Sequence, residues 1–231
     1  MHIAGMTKNT LLDYPGRVAA TIFTGGCNLR CLFCQNSSLV EGLIPKIREE
    51  DVLAFLEKRK NVLSGVCITG GEPTLQPDLI DFIHKVRDLG YAVKLDTNGT
   101  EPGVLRELAD KELLDYVALD IKTDKNKYRE LCNIDIDVEK VSESAELLIE
   151  GRFPDYEFRT TVVAEYFDRE TAAAVGEWLK GAHRYYLQNY VDTNTTFAGR
   201  GVLHGQTREE IEAYADILRE TISEVALRGI D

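Results

Sequence analysis

Short apolar runs alternate along this chain with stretches in which apolar positions return every three or four residues. The first pattern reads as buried strands and the second as amphipathic helices. Strands are predicted at 18–23, 65–69, 92–95, 116–119, 156–163 and 184–187, with a short last one at 225–227. Helices are predicted at 49–59, 77–89, 102–109, 138–150, 169–180 and 208–223. The helix at 77–89 gathers Leu79, Phe82, Ile83, Val86 and Leu89 on one face and stops at Gly90. Strand and helix in alternation predict an α/β fold of consecutive βα units around a parallel sheet. Six units are too few for a closed eight-unit barrel, so the expectation is an open, curved sheet with helices outside. With no internal repeat, one domain over 1–231 is expected: an extension at 1–17, the sheet and its helices at 18–206, and a last helix and tail at 207–231.

Composition narrows the class. The chain has 231 residues, 44 % of them hydrophobic, enough for one full core. Its 27 basic and 39 acidic side chains give a formal charge of −12, without the basic footprint that nucleic-acid binding needs. No apolar run is long enough to span a membrane, and Met1-His2-Ile3-Ala4-Gly5-Met6-Thr7 lacks the plan of a signal peptide. Five cysteines without an export signal predict a reducing cytoplasm.

Cys27, Cys31 and Cys34 follow the first predicted strand with spacing C-x3-C-x2-C. Three thiolates this close can hold one face of an iron–sulfur cube, and the missing fourth leaves one iron open for chemistry. Structural zinc asks for four Cys or His ligands, and His2, His84, His183 and His204 are scattered. A disulfide between two of the three would strand the remaining thiols. Cys67, inside a strand, and Cys132 read as inert thiols. After the second strand comes Gly70-Gly71-Glu72-Pro73. It reads either as a tight turn capping the next helix or as a ligand edge, where glycines let backbone approach closely and a carboxylate receives an ammonium.

The triplet with its Gly25-Gly26 lead-in, followed by Gly70-Gly71-Glu72-Pro73, resembles the signature of the radical S-adenosylmethionine (SAM) superfamily. That resemblance implies a partial (β/α)6 barrel, a 4Fe–4S cluster held by Cys27, Cys31 and Cys34, and SAM on the fourth iron with its amino group along Gly70, Gly71, Glu72 and Pro73. Ligands of parallel sheets gather at the C-terminal strand ends, where every motif here falls. Asp96-Thr97-Asn98-Gly99 follows the third strand and Asp120-Ile121-Lys122 the fourth. Asp96 and Asn98 could order SAM or simply cap helices. In the resembling activases, residues matching Asp96, Thr97 and Asp120 help to hold a monovalent cation. Lys122 is either solvated or borders cofactor and substrate. Arg159, within an apolar strand, needs an anion, either the SAM carboxylate or a structural carboxylate. Gln188-Asn189 could meet adenine or the substrate peptide, or form a polar loop.

Leu11-Leu12-Asp13-Tyr14-Pro15-Gly16 ahead of the first strand, the run Phe23 to Cys31, Cys34-Gln35-Asn36 and the ending Leu227-Arg228-Gly229 resemble the activating proteins of anaerobic (class III) ribonucleoside-triphosphate reductases. Pyruvate formate-lyase activases are close relatives. This implies an oxidoreductase that cleaves SAM reductively to a 5′-deoxyadenosyl radical and makes a glycyl radical on a partner enzyme, with flavodoxin or ferredoxin as electron donor. A glycine is expected where Cys132 stands. Rival expectations are a radical SAM enzyme acting on a small molecule or another peptide, and a non-enzymatic iron–sulfur or zinc module.

Overall fold

The computed structural model describes residues 1–193 and 195–229. Eight strands form one sheet whose spatial order is their chain order: β1 (Ile3–Thr10), β2 (Ala19–Thr24), β3 (Gly65–Gly70), β4 (Ala92–Thr97), β5 (Tyr116–Asp120), β6 (Tyr156–Val162), β7 (Arg184–Asn189) and β8 (Glu224–Arg228). From β2 to β8 every neighbouring pair is parallel, as the alternation of periods predicts. The helices are α1 (Ser37–Val40), α2 (Glu49–Arg59), α3 (Leu79–Asp88), α4 (Pro102–Asp110), α5 (Tyr128–Cys132), α6 (Val138–Ile149), α7 (Arg169–Trp178) and α8 (Arg208–Leu218).

One face of the sheet is apolar. Val66, Ile68, Val93, Leu95, Val117 and Leu119 alternate along β3, β4 and β5 and are fully buried in the same core as Phe82, Leu105 and Val141 of the helices. Burial of this kind is the main favourable contribution to the fold. The other face carries Cys67, Lys94 and Tyr116 in one row, then Asp120, Arg159 and Tyr186 in the next. It is polar because it forms the inner wall leading to the site.

Three features depart from the sequence pattern. The stretch before residue 18 contributes β1, paired antiparallel to β2. As an edge strand it is buried at its start and exposed towards Lys8 and Asn9, which weakens any alternation. Helix α8 ends at Leu218, short of 223, where the Thr221 and Ile222 N–H groups turn back onto the Leu218 carbonyl. Ile222 remains in the core and so extends the apolar period beyond the helix. Helices α1 and α5 are too short to show a period. No helix among the described residues is long and apolar enough to cross a membrane.

Candidate active site

The loop from Gly25 to Asn36 leaves the C-terminal end of β2 and is braced from several sides. Gly25 N–H donates to the His2 carbonyl at 3.0 Å, and Gly26 N–H to that of Leu39 at 2.7 Å. Arg30 and Leu32, on either side of Cys31, donate to the consecutive carbonyls of Cys132 (3.1 Å) and Leu131 (3.0 Å). These carbonyls have no helical partner because α5 stops there, with Asn133 in the left-handed region at φ 50°.

Cys27, Cys31 and Cys34 line one cavity of about 350 Å³ together with Gly70, Gly71, Glu72, Asp96, Thr97, Asn98, Asp120, Lys122 and Gln188. Of the residues singled out from sequence, Pro73 and Arg159 stand outside that lining. Pro73 is buried in the 3-10 turn that follows Glu72, and Arg159 braces two of the lining carboxylates. Burial pushes the Cys27 thiol up to about 11, and the Cys34 thiol upward as well. Cys31 is raised further, first by its contact with the Cys132 thiol and then by burial.

The glycines answer to the cysteine loop. A Cβ on Gly71 would lie 2.0 Å from the Gly26 carbonyl oxygen. One on Gly70, at φ +122°, would lie 2.3 Å from the Thr24 nitrogen. The close approach lets Gly71 N–H reach the Thr24 carbonyl and Glu72 N–H the Gly26 carbonyl, each at 2.8 Å.

The Glu72 carboxylate, expected to receive an ammonium, already has four donors. Oε1 accepts from Thr74 N–H (3.1 Å), Thr74 Oγ1 (2.6 Å) and Thr97 Oγ1 (2.8 Å), and Oε2 accepts Asn98 N–H at 2.7 Å. Burial raises this carboxyl, against the pull of those donors.

Asn98 faces the cysteine loop. Its Nδ2 donates to Asn28 Oδ1 at 3.0 Å and lies 3.8 Å from the Cys27 sulfur. Asn28 Nδ2 in turn donates to Thr100 Oγ1 at 2.8 Å. Gln188 is exposed at the cavity wall, whereas Asn189 ties down Gln206 through a pair of hydrogen bonds.

Arg159 stands between two carboxylates, donating from Nε to Asp120 Oδ1 at 2.8 Å and from NH1 to Asp96 Oδ2 at 3.2 Å. Lys122 holds the other Asp120 oxygen at 3.1 Å, and the buried Lys94 pairs with Asp96 Oδ1. Burial works against the Asp120 charge, but Arg159 and then Lys122 outweigh it and hold the carboxyl at about 2. Asp96 is lowered for the same reasons by Arg159 and Lys94. The three residues expected to share a monovalent cation, Asp96, Thr97 and Asp120, all have protein partners in this arrangement. Thr97 is engaged by Glu72, and a guanidinium bridges the two aspartates.

Sequence reasoning missed Lys94, although a lysine two positions before Asp96 in an apolar strand was the available signal. It also missed Glu157, which is fully buried and held by Arg228 at 2.8 and 2.7 Å and by the Tyr116 hydroxyl at 2.7 Å.

The described residues hold no group of three His, Cys, Asp or Glu side chains gathered to grip a single ion. Cys27, Cys31 and Cys34, gathered on one cavity, are a donor set that suits one face of an iron–sulfur cube. The pattern of the Radical SAM superfamily matches residues 21–179.

The chain belongs to the radical SAM superfamily.

Membership implies a 4Fe–4S cluster and SAM as cofactors, and radical SAM enzyme activity. Over 233 residues the chain is 28 % identical to a protein of Methanocaldococcus jannaschii provisionally named a glycyl-radical enzyme activating enzyme, covering 99 % of this chain and 96 % of that one. A Pyrococcus abyssi protein provisionally named a GTP 3′,8-cyclase is 30 % identical over 131 residues, 54 % of this radical SAM chain and 42 % of its own. Among solved structures, Streptococcus suis SuiB bound to its precursor peptide SuiA shares the fold at a TM-score of 0.70 with 18 % identity. The match covers 90 % of this chain and 48 % of SuiB.

Proposed function

We propose that this protein is a glycyl-radical enzyme activase whose partner is an anaerobic ribonucleoside-triphosphate reductase. The observation that carries the reading is the convergence of Cys27, Cys31 and Cys34 on one cavity with the Gly70–Gly71 backbone. Similarity over nearly the full length of a relative named as such an activase supports it. The partial similarity to the cyclase stops at about half of this chain.

In this reading Cys27, Cys31 and Cys34 would hold the 4Fe–4S cluster, and SAM would bind beside it in the same cavity. When bound, the cluster and SAM together supply a 5′-deoxyadenosyl radical by one-electron cleavage of the sulfonium. Everything else is positioning and exclusion of water. The Gly70–Gly71 edge, which lines the cavity, would take the amino group of SAM. Lys122, facing the cavity beside Phe33, offers a cation to the SAM carboxylate. Gln188, at the rim, offers its amide to the adenine. Arg159 would act through Asp96 and Asp120, keeping both ionised at the cavity wall. The glycine loop of the partner would enter at the cavity mouth, and a flavodoxin or ferredoxin would supply the electron.

The test is anaerobic reconstitution with iron and sulfide, followed by dithionite and SAM. Release of 5′-deoxyadenosine is expected, and a glycyl EPR doublet on the added reductase. SAM cleavage with no doublet on any glycyl-radical enzyme would move the assignment to a small-molecule substrate. No cleavage at all would end the reading.

A further inference from the structure

Cys132, an inert thiol by its sequence and placed where a glycine was expected, lies inside the site's supporting structure. It is fully buried at the end of α5, and its sulfur is 3.8 Å from that of Cys31. The distance is held from both sides, because the N–H groups of Arg30 and Leu32 bond to the carbonyls of Cys132 and Leu131. Cys31 cannot move away from Cys132 without breaking that two-bond clamp.

The other two cysteines have nitrogen donors. The Cys27 sulfur accepts Leu29 N–H at 3.4 Å and faces Asn98 Nδ2 at 3.8 Å, while Cys34 takes the backbone N–H of Asn36. The neighbour of Cys31 is a thiol. In the metal-free protein either sulfur of that pair can donate. Ligation removes the Cys31 proton, so in the loaded protein the hydrogen between the two sulfurs is the one on Cys132.

We propose that Cys132 is a hydrogen-bond donor to the Cys31 sulfur and raises the reduction potential of the cluster that Cys31 ligates. This rests on the cluster assignment made above. Hydrogen bonds to cluster sulfurs favour the more negatively charged, reduced state and so make reduction easier. A glycine at this position would supply no donor. Cys132 is thus a positioning residue, acting on the cluster through Cys31.

The experiment compares anaerobically reconstituted wild type with Cys132→Ala, Cys132→Val and Cys132→Ser. Iron per chain is counted, and the midpoint potential is read by EPR-monitored redox titration without SAM. All four proteins are expected to carry the same iron. Cys132→Ala and Cys132→Val are expected to fall to more negative potential, by at least a tenfold change in the one-electron equilibrium, which is about 59 mV. Valine fills the space without a donor, so agreement between the two separates hydrogen-bond loss from a cavity. Cys132→Ser, with a hydroxyl donor, should fall between them and wild type. Equal potentials, a positive shift, or loss of iron confined to the Cys132 variants would overturn the proposal, the last by making Cys132 a ligand. A wild-type cluster whose EPR signal ignores added SAM would instead sink the activase reading, whatever the potentials show.

Discussion

Asn98 donates its backbone N–H to the Glu72 carboxylate at 2.7 Å, and this bond joins the loop after β3 to the loop after β4. Thr97 reinforces it from the side chain at 2.8 Å. Glu72 therefore acts as a staple between the two loops that carry the site. Glu72→Ala leaves buried donors on Thr74, Thr97 and Asn98 without their acceptor. An unsatisfied buried donor costs about 1–3 kcal/mol, so the variant should lose about 3 kcal/mol of unfolding free energy in urea before any cofactor is added. If Glu72 served only to receive the SAM ammonium, the metal-free stability would be unchanged and only SAM affinity would fall.

Arg159 neutralises a pair of aspartates, which gives its removal a pH signature. Arg159→Met leaves Asp96 and Asp120 facing each other with only Lys94 and Lys122 in support. Breaking a buried pair costs about 3–5 kcal/mol; Arg159 is about a quarter exposed, so screening reduces this to about 2 kcal/mol at pH 7. The sign on acidification follows from the carboxyls. Asp120 titrates at about 2 in the folded protein against 3.8 ordinarily. Its pairing stabilises the fold fully above pH 4 and is lost as pH falls towards 2. The variant has little of that stabilisation to lose. The stability gap between wild type and Arg159→Met should therefore close between pH 4 and 2, as urea unfolding at a series of pH values would report. The raised carboxyl of Glu72 contributes with the opposite sign, but equally to both proteins. A gap constant down to pH 2 would contradict the assignment.

The same guanidinium already bridges the carboxylates that an external cation would meet. With Arg159 bonded to both Asp96 and Asp120, SAM affinity should stay within about twofold when potassium is exchanged for tetramethylammonium at constant ionic strength, since only screening by salt remains in common. Isothermal titration of the anaerobically loaded protein measures this. A potassium requirement in wild type would mean that Arg159 gives way to a metal ion. Its appearance only in Arg159→Met would support the bridging role.

Much of this was legible in the chain because two kinds of signal are local. The apolar face of α3 predicts its own burial, and the strand ends are marked by the polar residues that follow them. Cys27, Cys31 and Cys34 are readable as a ligand set because they are near one another in sequence. What was not legible depends on register between distant strands. Lys94, Asp120, Arg159, Glu157 and Arg228 come from four strands and meet only once the sheet is aligned. The same holds for Glu72, whose partners at Thr97 and Asn98 lie on the next loop, so its sequence could not tell a ligand-facing carboxylate from a structural one. Strand β1 was hidden for a different reason: an edge strand with one exposed end needs no strict alternation.

Gly71 offers the sharpest separation between structural and ligand-binding explanations of a motif. Glycines beside a cofactor are usually explained by the ligand's approach, but here the Gly26 carbonyl oxygen is the atom in the way, 2.0 Å from where a Cβ would stand. Backbone cannot swing aside as a flexible side chain can. Gly71→Ala must push Gly26, and with it Cys27, away from β3, breaking the 2.8 Å bond between Glu72 N–H and the Gly26 carbonyl. The geometry of the thiol triad then changes before SAM is ever present. Iron retained per chain after anaerobic reconstitution and desalting should fall by at least about half, and overpacking of this kind costs about 1–3 kcal/mol in unfolding free energy. Gly103→Ala, where nothing lies near the added methyl, serves as the control and should retain full iron. If Gly71→Ala kept its iron and its stability but bound SAM more weakly, the glycine would belong to the ligand rather than to the cysteine loop.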